Sequence, residues 1–182
     1  MGSVRHAARR VLLPLAAVAL LLPAVSGCAG REYDLPRDIC GVKVSKGVLD
    51  PLLPDGEKLE QKRERREHID RHFVRCDVTV DGGDGLYITL YEMPSVDRKG
   101  STEDHPRYIK NPPFSGWAEV RDGKSLGSTA CREGSKNRSD ALTFTFSLHT
   151  VKGDGEEERR AATERFVKAW LPGEKKKEGC TR

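Results

Sequence analysis

The first 28 residues constrain this chain most, because they decide the compartment in which the rest must fold. Arg5, Arg9 and Arg10 precede an apolar run over residues 11–25, and no acidic residue occurs before Glu32. This run is shorter than the ~20 residues that a membrane-spanning helix needs. A basic head, a short apolar middle and small residues before a cut site are typical of a secretory leader. We therefore expect residues 1–27 to be a signal peptide.

The end of this leader, Val25-Ser26-Gly27-Cys28, resembles the lipobox of bacterial lipoproteins. The resemblance implies cleavage between Gly27 and Cys28 and a diacylglycerol on the sulfur of Cys28, a palmitate-type anchor. Two acyl chains are enough for stable membrane attachment. We expect a secreted domain anchored to the outer face of the cell membrane, with residues 28–37 as a flexible tether. An ordinary cleaved signal peptide and an uncleaved anchor helix are the alternatives.

Four cysteines remain after Cys28, namely Cys40, Cys76, Cys131 and Cys180. An even number of cysteines in an exported domain indicates disulfides, and four allow three pairings. Their order favours Cys40–Cys76 with Cys131–Cys180, because each bridge then closes one half of the domain. A zinc site is the alternative, but the chain has no Cys-x-x-Cys pair.

The charge balance argues against nucleic-acid binding. Without residues 1–27 the chain has 29 basic and 28 acidic side chains, and a nucleic-acid-binding protein would show a basic excess. The remaining 155 residues are enough for one domain with its own core. With only 6% aromatic residues that core is small, so disulfides are expected to support it.

Two stretches predict β-hairpins. Residues 76–80 and 86–91 alternate in polarity on either side of a glycine-rich connection, which is the pattern of two strands and a tight turn. Residues 117–120 and 126–131 flank Asp122-Gly123 in the same way.

The C-terminal third predicts a strand and then a helix. Residues 141–151 alternate most strongly, and residues 45–54 predict a short helical turn. Asp154 is placed to cap a helix that Pro172-Gly173 interrupts. Its apolar stripe consists of Ala162, Phe166, Ala169 and Trp170. The predicted fold for residues 38–182 is α+β: an antiparallel sheet of hairpins with a C-terminal helix packed on one face, stabilised by disulfides.

Residues 57–74 leave two assignments open. Their Glu, Lys, Gln and Arg content favours a helix, whereas the lack of a continuous apolar stripe favours an exposed, charged strand. On a helix His68 and His72 would share a face and could hold a metal, but on a strand they would separate. We expect a solvated surface, with no metal and no cofactor.

Several short motifs resemble small actinobacterial lipoproteins, a family of uncharacterised proteins. These are the lipobox, Cys40-Gly41, Leu52-Leu53-Pro54, the Cys-x-Val-x-Val-Asp-Gly of residues 76–82, Gly116-Trp117 and Gly179-Cys180. The resemblance implies an extracytoplasmic domain with two disulfides, and it implies no activity.

The sequence contains no Gly-x-Ser-x-Gly elbow and no phosphate-binding glycine loop. We therefore expect a binding or interaction module of the cell envelope, not an enzyme, with an envelope protein or a small ligand as partner. A cell-envelope enzyme with a site assembled from scattered residues is the alternative. The candidate binding loop is residues 94–117, which carries Tyr108, Phe114 and Trp117. Alternatively, Phe114 and Trp117 close the edge of the core.

The lipobox makes Cys28 testable by mass. Intact-mass measurement should find a mature N-terminus at Cys28 carrying a diacylglycerol, and Cys28→Ala should abolish both acylation and processing. An unmodified mature N-terminus in the wild-type protein would contradict this prediction.

Overall fold

The structure, a computed structural model, describes residues 30–68, 71–83, 85–93, 107–131, 141–149 and 151–180. Cys28 and residues 94–106 lie outside this part of the chain. The elements are β1 (Asp38–Ile39), β2 (Val42–Lys43), α1 (Lys46–Leu49) with a 3-10 turn (Asp50–Leu52), β3 (Leu59–His68), β4 (Arg71–Val80), β5 (Gly85–Met93), β6 (Gly116–Arg121), β7 (Lys124–Ala130), β8 (Ala141–Leu148) and α2 (Glu156–Lys177).

The strands β3 to β8 form one antiparallel sheet with the order β3-β4-β5-β8-β7-β6. Strands β3–β5 are one three-stranded meander and β6–β8 are a second. The two meanders join where β5 pairs with β8, with Ile88 opposite Phe146. Both predicted hairpins, β4–β5 and β6–β7, are confirmed.

One face of this sheet carries the core. Alternate residues of the central strands point to the same side, and Cys76, Ile88 and Phe146 are all buried there. Helix α2 covers this face, with the rings of Phe166 and Trp170 centred 5.6 and 5.5 Å from that of Phe146. The α1 segment adds three buried leucines, Leu49, Leu52 and Leu53. The predicted α+β fold is therefore confirmed.

Within residues 57–74, for which the sequence leaves helix and strand open, residues 59–68 form β3 and residues 71–74 begin β4. The register with β4 turns Gln61, Arg63 and Arg65 toward the helix-covered face. On that face these polar side chains bind the segments that cover the sheet, and they do not form part of the apolar core. The amide of Gln61 accepts from the backbone N–H of Cys40 at 2.6 Å, and Arg63 reaches Glu174 on α2. His68 and His72 lie on different strands.

Helix α2 starts and packs differently from the prediction. Gly155, not Asp154, is the N-cap residue, and it makes no side-chain capping bond. Ala169 is exposed. The buried stripe of the helix is centred between Phe166 and Val167, and Ala169 lies outside this stripe. In the described part of the chain no helix is long and apolar enough to span a membrane.

The prediction that Pro172-Gly173 interrupts α2 is wrong, because the helix continues to Lys177. Proline removes one helical hydrogen bond, and tertiary contacts hold the turn that follows. Gly173 packs so closely on β2 that a Cβ would lie 2.6 Å from Cγ1 of Val42. One turn further, Lys177 Nζ donates to the carbonyl of Cys40 at 2.5 Å.

Part of the expected tether contacts the domain. The guanidinium of Arg31 pairs with Asp50 and donates to the carbonyl of Leu53 at 2.7 Å. The hydroxyl of Tyr33 donates to the carbonyl of Pro54 at 2.5 Å. These side chains satisfy carbonyls that the 3-10 turn leaves free, so Arg31 and Tyr33 of the expected tether pack on the domain.

Both predicted disulfides are present, Cys40–Cys76 with a Cα–Cα distance of 6.1 Å and Cys131–Cys180 with one of 4.4 Å. The first joins the β1–β2 hairpin to β4, and the second joins the end of β7 to the chain beyond α2. Each closes a loop of a few tens of residues, for which the chain-entropy model gives about 3–4 kcal/mol of stabilisation.

Trp170 provides a test of how α2 is held. Its Nε1 donates to the carbonyl of Ile39 at 3.1 Å, and the residue is fully buried. Trp170→Phe keeps an aromatic ring but leaves that carbonyl unpaired, so the free energy of unfolding should fall by about 1–3 kcal/mol. Trp170→Ala should cost about 3–5 kcal/mol. Urea denaturation with the disulfides intact measures both.

The matched control is Ala169→Gln on the exposed side of the same helix. It should change the free energy of unfolding by no more than about 0.5 kcal/mol. An equal loss at both positions would contradict the packing described for α2.

Candidate ligand-binding site

A cleft of about 450 Å³ lies between the loop that precedes β6 and the C-terminal end of α2. We call it the proline–lysine cleft. Its walls combine three prolines, one aromatic ring, a half-cystine and two lysines, and contain no acidic side chain. The lining residues are Pro112, Pro113, Phe114, Ser115, Pro172, Lys175, Lys176 and Cys180.

The loop side of the cleft is fixed to the sheet. The carbonyl of Ser115 accepts from the backbone N–H of Ala130 at 2.7 Å and from the hydroxyl of Thr129 at 3.0 Å. Gly116 then turns the chain into β6 with a φ of 154°, and a Cβ there would lie 2.0 Å from the carbonyl oxygen of Ser128. Glycine is therefore required at this position.

The helix side is fixed by the end of α2 and by the second disulfide. The backbone N–H groups of Gly179 and Cys180 donate to the carbonyls of Lys176 and Lys175 at 3.1 and 2.8 Å. This closes the helix in the manner of a Schellman motif. The bridge from Cys180 to Cys131 then ties the helix end to the sheet.

Lys175 is the chemically unusual residue of the cleft. It is only 6% exposed, yet within the described part of the chain nothing accepts a hydrogen bond from its ammonium group and no carboxylate pairs with it. Its sequence neighbour Glu174 cannot serve as partner, because it forms a two-point contact with Arg63 at 2.7 and 3.1 Å. Fully buried charges are normally paired, whereas the ammonium nitrogen of Lys175 is not fully buried and reaches the open cleft.

Burial shifts the protonation equilibria of both residues. Burial lowers the pKa of Lys175, since the charged ammonium form loses hydration. Burial also raises the pKa of Glu174, and the nearby carboxylate of Glu178 adds to that effect while Arg63 opposes it. In the folded state Lys175 is thus a weaker base than an exposed lysine.

The remaining lysines of this region differ from Lys175. Lys168 pairs with Glu164 at 2.6 Å, and Lys177 donates to the carbonyl of Cys40. Lys176 is exposed at the edge of the cleft. The partial negative charge at the helix C-terminus stabilises the cations of the last turn, Lys175, Lys176 and Lys177, but it gives Lys175 no hydrogen-bond acceptor.

A second cleft, of about 330 Å³, lies at the N-terminal end of α2. Although four basic residues line it, most of their charge is balanced within the fold. Arg107 contacts Glu157 at 2.5 Å, and Arg160 contacts the same carboxylate. Arg121 contacts Glu119 at 2.6 Å. This cleft is therefore the weaker candidate for binding a ligand.

The three aromatic residues of the predicted binding loop do not come together. Phe114 is half-buried on the helix-covered face, where its ring contacts that of Phe144 at 6.2 Å. Trp117 is buried and Tyr108 is half-buried. Their rings meet at 5.9 Å on the opposite face of the sheet. Of the three, only Phe114 lines the proline–lysine cleft.

The lipid site predicted at Cys28 lies outside the described residues, and so does part of the predicted binding loop. Cys40, Cys76, Cys131 and Cys180 are all used in disulfides. Among the described residues no group of three His, Cys, Asp or Glu side chains is placed to hold a metal ion.

Sequence reasoning missed Lys175, which stands in the basic run of residues 175–177. The one available signal is its position one helical turn after Leu171, on the side of the buried stripe. Pro172 masks this signal, because a proline at this position predicts an interruption of the helix.

Comparisons of the chain with protein-family models, with curated proteins and with solved structures found no match. The assignment of a function therefore depends on the chemistry of the cleft and on the motifs in the sequence.

Replacing the buried ammonium by an apolar group tests this description. Lys175→Met should raise the free energy of unfolding by up to about 1 kcal/mol at neutral pH, because it removes a charge from a largely buried side chain that no described group pairs with. Lys168→Met is the matched control and should give a small loss, about 0.3–0.5 kcal/mol, from its ion pair. Urea denaturation measures both changes.

The free energy of unfolding should change with pH in a defined direction. Because the pKa of Lys175 is lower in the folded chain than in the unfolded one, the unfolded chain binds more protons between the two pKa values. The stability of the wild-type protein should therefore rise with pH in this alkaline window. Lys175→Met should lose this rise. An identical pH profile for wild type and variant would contradict the burial of the ammonium group.

Proposed function

We propose that the protein is a membrane-anchored extracytoplasmic lipoprotein whose domain is a binding module of the cell envelope. The proline–lysine cleft is its ligand-binding site. Residues 1–27 are the signal peptide, Cys28 carries the diacylglycerol, and the domain faces the space outside the cell membrane. The partner is a small ligand or a segment of an envelope protein, and not a nucleic acid.

The location is supported by three observations of different kinds. The basic and apolar pattern of residues 1–27 is typical of an export signal, and Val25-Ser26-Gly27-Cys28 matches a lipobox. The two disulfides are of a kind that persists in oxidising compartments and is rare in the cytosol. The short motifs shared with small actinobacterial lipoproteins point the same way.

The binding role is supported chiefly by Lys175, whose side chain is largely buried and whose ammonium group reaches the open cleft without a partner among the described residues. Burial takes hydration away from this charge, and a bound anion would supply the hydrogen-bond acceptor that it lacks. The cleft combines apolar surface from prolines and one aromatic ring with charged and polar groups, and its volume of about 450 Å³ lies in the usual range for ligand sites.

Site-specific cross-linking in the cells that produce the protein tests this proposal. A photo-reactive amino acid replaces Ser115, which is exposed and lies at the edge of the cleft. The control carries it at Ser45, which is exposed and is not among the residues that line the cleft. The position 115 protein should give a discrete adduct in the membrane fraction, visible by intact mass or on a gel, and the position 45 protein should not.

Two outcomes would contradict the proposal. Recovery of the wild-type chain in the cytosolic fraction would contradict the location. The same adducts from both positions, or none from position 115, would contradict binding at the cleft.

A further inference from the structure

The polar groups of the proline–lysine cleft restrict what can bind there. The side-chain donors are the ammonium groups of Lys175 and Lys176 and the hydroxyl of Ser115. Pro112, Pro113 and Pro172 have no backbone N–H to offer. The cleft thus presents positive charge with few donors, and the charge at its inner wall has no partner among the described residues.

We infer that the proline–lysine cleft binds an organic carboxylate, with the carboxylate on Lys175 and an apolar body against the prolines and Phe114. This inference rests on the proposed function, since it names the ligand class for the same site. One carboxylate supplies the single negative charge and the acceptors that Lys175 lacks. A hydrogen bond between two charged groups is stronger than one between neutral groups.

A carboxylate fits this donor set better than a phosphate does. Phosphate sites are commonly built from several backbone N–H groups at a helix N-terminus or in a glycine-rich loop. Here the cleft lies at the C-terminal end of α2, and the backbone N–H groups of Glu178, Gly179 and Cys180 are used in closing the helix. The remaining donors are the ammonium groups of Lys175 and Lys176 and the hydroxyl of Ser115, which are enough to bind a carboxylate.

The walls fit an apolar body attached to that carboxylate. Prolines are rigid, so ordering their side chains on binding costs little entropy. Phe114 is held by its contact with Phe144, and the disulfide of Cys180 is also apolar and fixed. The volume of about 450 Å³ leaves room for a ring or short chain beside the carboxylate.

Three small probes separate the contributions of charge and apolar body. The probes are 4-phenylbutyrate, its neutral counterpart 4-phenylbutan-1-ol, and inorganic phosphate, each titrated calorimetrically into the full chain at neutral pH. The wild-type protein should bind 4-phenylbutyrate at least about tenfold more tightly than the alcohol, because only the acid forms a charge-assisted bond with Lys175. Phosphate should bind more weakly than the acid.

The variants assign this difference to one residue. Lys175→Met should abolish the preference for the acid and leave the affinity for the alcohol within about twofold. Lys168→Met, which changes a lysine on the same helix outside the cleft, should keep the full preference. The comparison of acid with alcohol in the wild-type protein needs no variant, so misfolding of Lys175→Met would not prevent the test.

Equal binding of acid and alcohol, absence of binding by both, or phosphate binding tighter than that of the acid would each overturn the carboxylate assignment. So would a preference for the acid that survives in a folded Lys175→Met protein. If one of these results is found together with a specific adduct from position 115, the proposal of a binding module is retained. Only the assignment of a carboxylate as its ligand is then contradicted. If cross-linking failed while the acid bound as expected, the carboxylate assignment would stand and the binding of an envelope partner at the cleft would be contradicted.

Discussion

The fold depends on covering the apolar face of the six-stranded sheet. Helix α2 covers most of this face, and to do so it continues beyond Pro172. Phe166 and Trp170 of α2 pack on the centre of the sheet, but the sheet extends further, to the charged edge strand β3. The last turn of α2 reaches that edge after Pro172 and is held there by polar contacts. The two-point contact between Arg63 and the fully buried Glu174 is the main one, and the disulfide of Cys180 closes the end.

The proline–lysine cleft is a consequence of this arrangement. Once the final turn is fixed, Glu174 points to β3 and Lys175 points away from it, toward residues 112–115. Glu174 is paired with Arg63, and no carboxylate among the described residues pairs with Lys175. The fold thus keeps a largely buried lysine whose ammonium group faces the open cleft without a partner among the described residues. In the proposed function the ligand is its partner.

The sequence predicted what depends on local pattern and missed what depends on distant contacts. Alternation in residues 86–91 and 141–148 was enough to predict the central strands, because each has one apolar face to bury. Strand β3 could not be distinguished from a helix, because Arg63 is paired with a residue 111 positions later in the chain. The end of α2 was misplaced for the same reason, and with it Lys175, whose burial depends on the loop and the disulfide. The cysteine pairing was predictable because each bridge joins neighbours in chain order.

The most direct test of the cleft is the NMR signal of the lysine side chains in the ¹⁵N-labelled full chain during titration with 4-phenylbutyrate. If the carboxylate binds as inferred, the Nζ signal of Lys175 should shift most and saturate with the dissociation constant found by calorimetry. Lys168, which is paired with Glu164, should barely move. The largest shift at any lysine outside the cleft, or uniform small shifts at all of them, would contradict the assignment of this cleft as the ligand site.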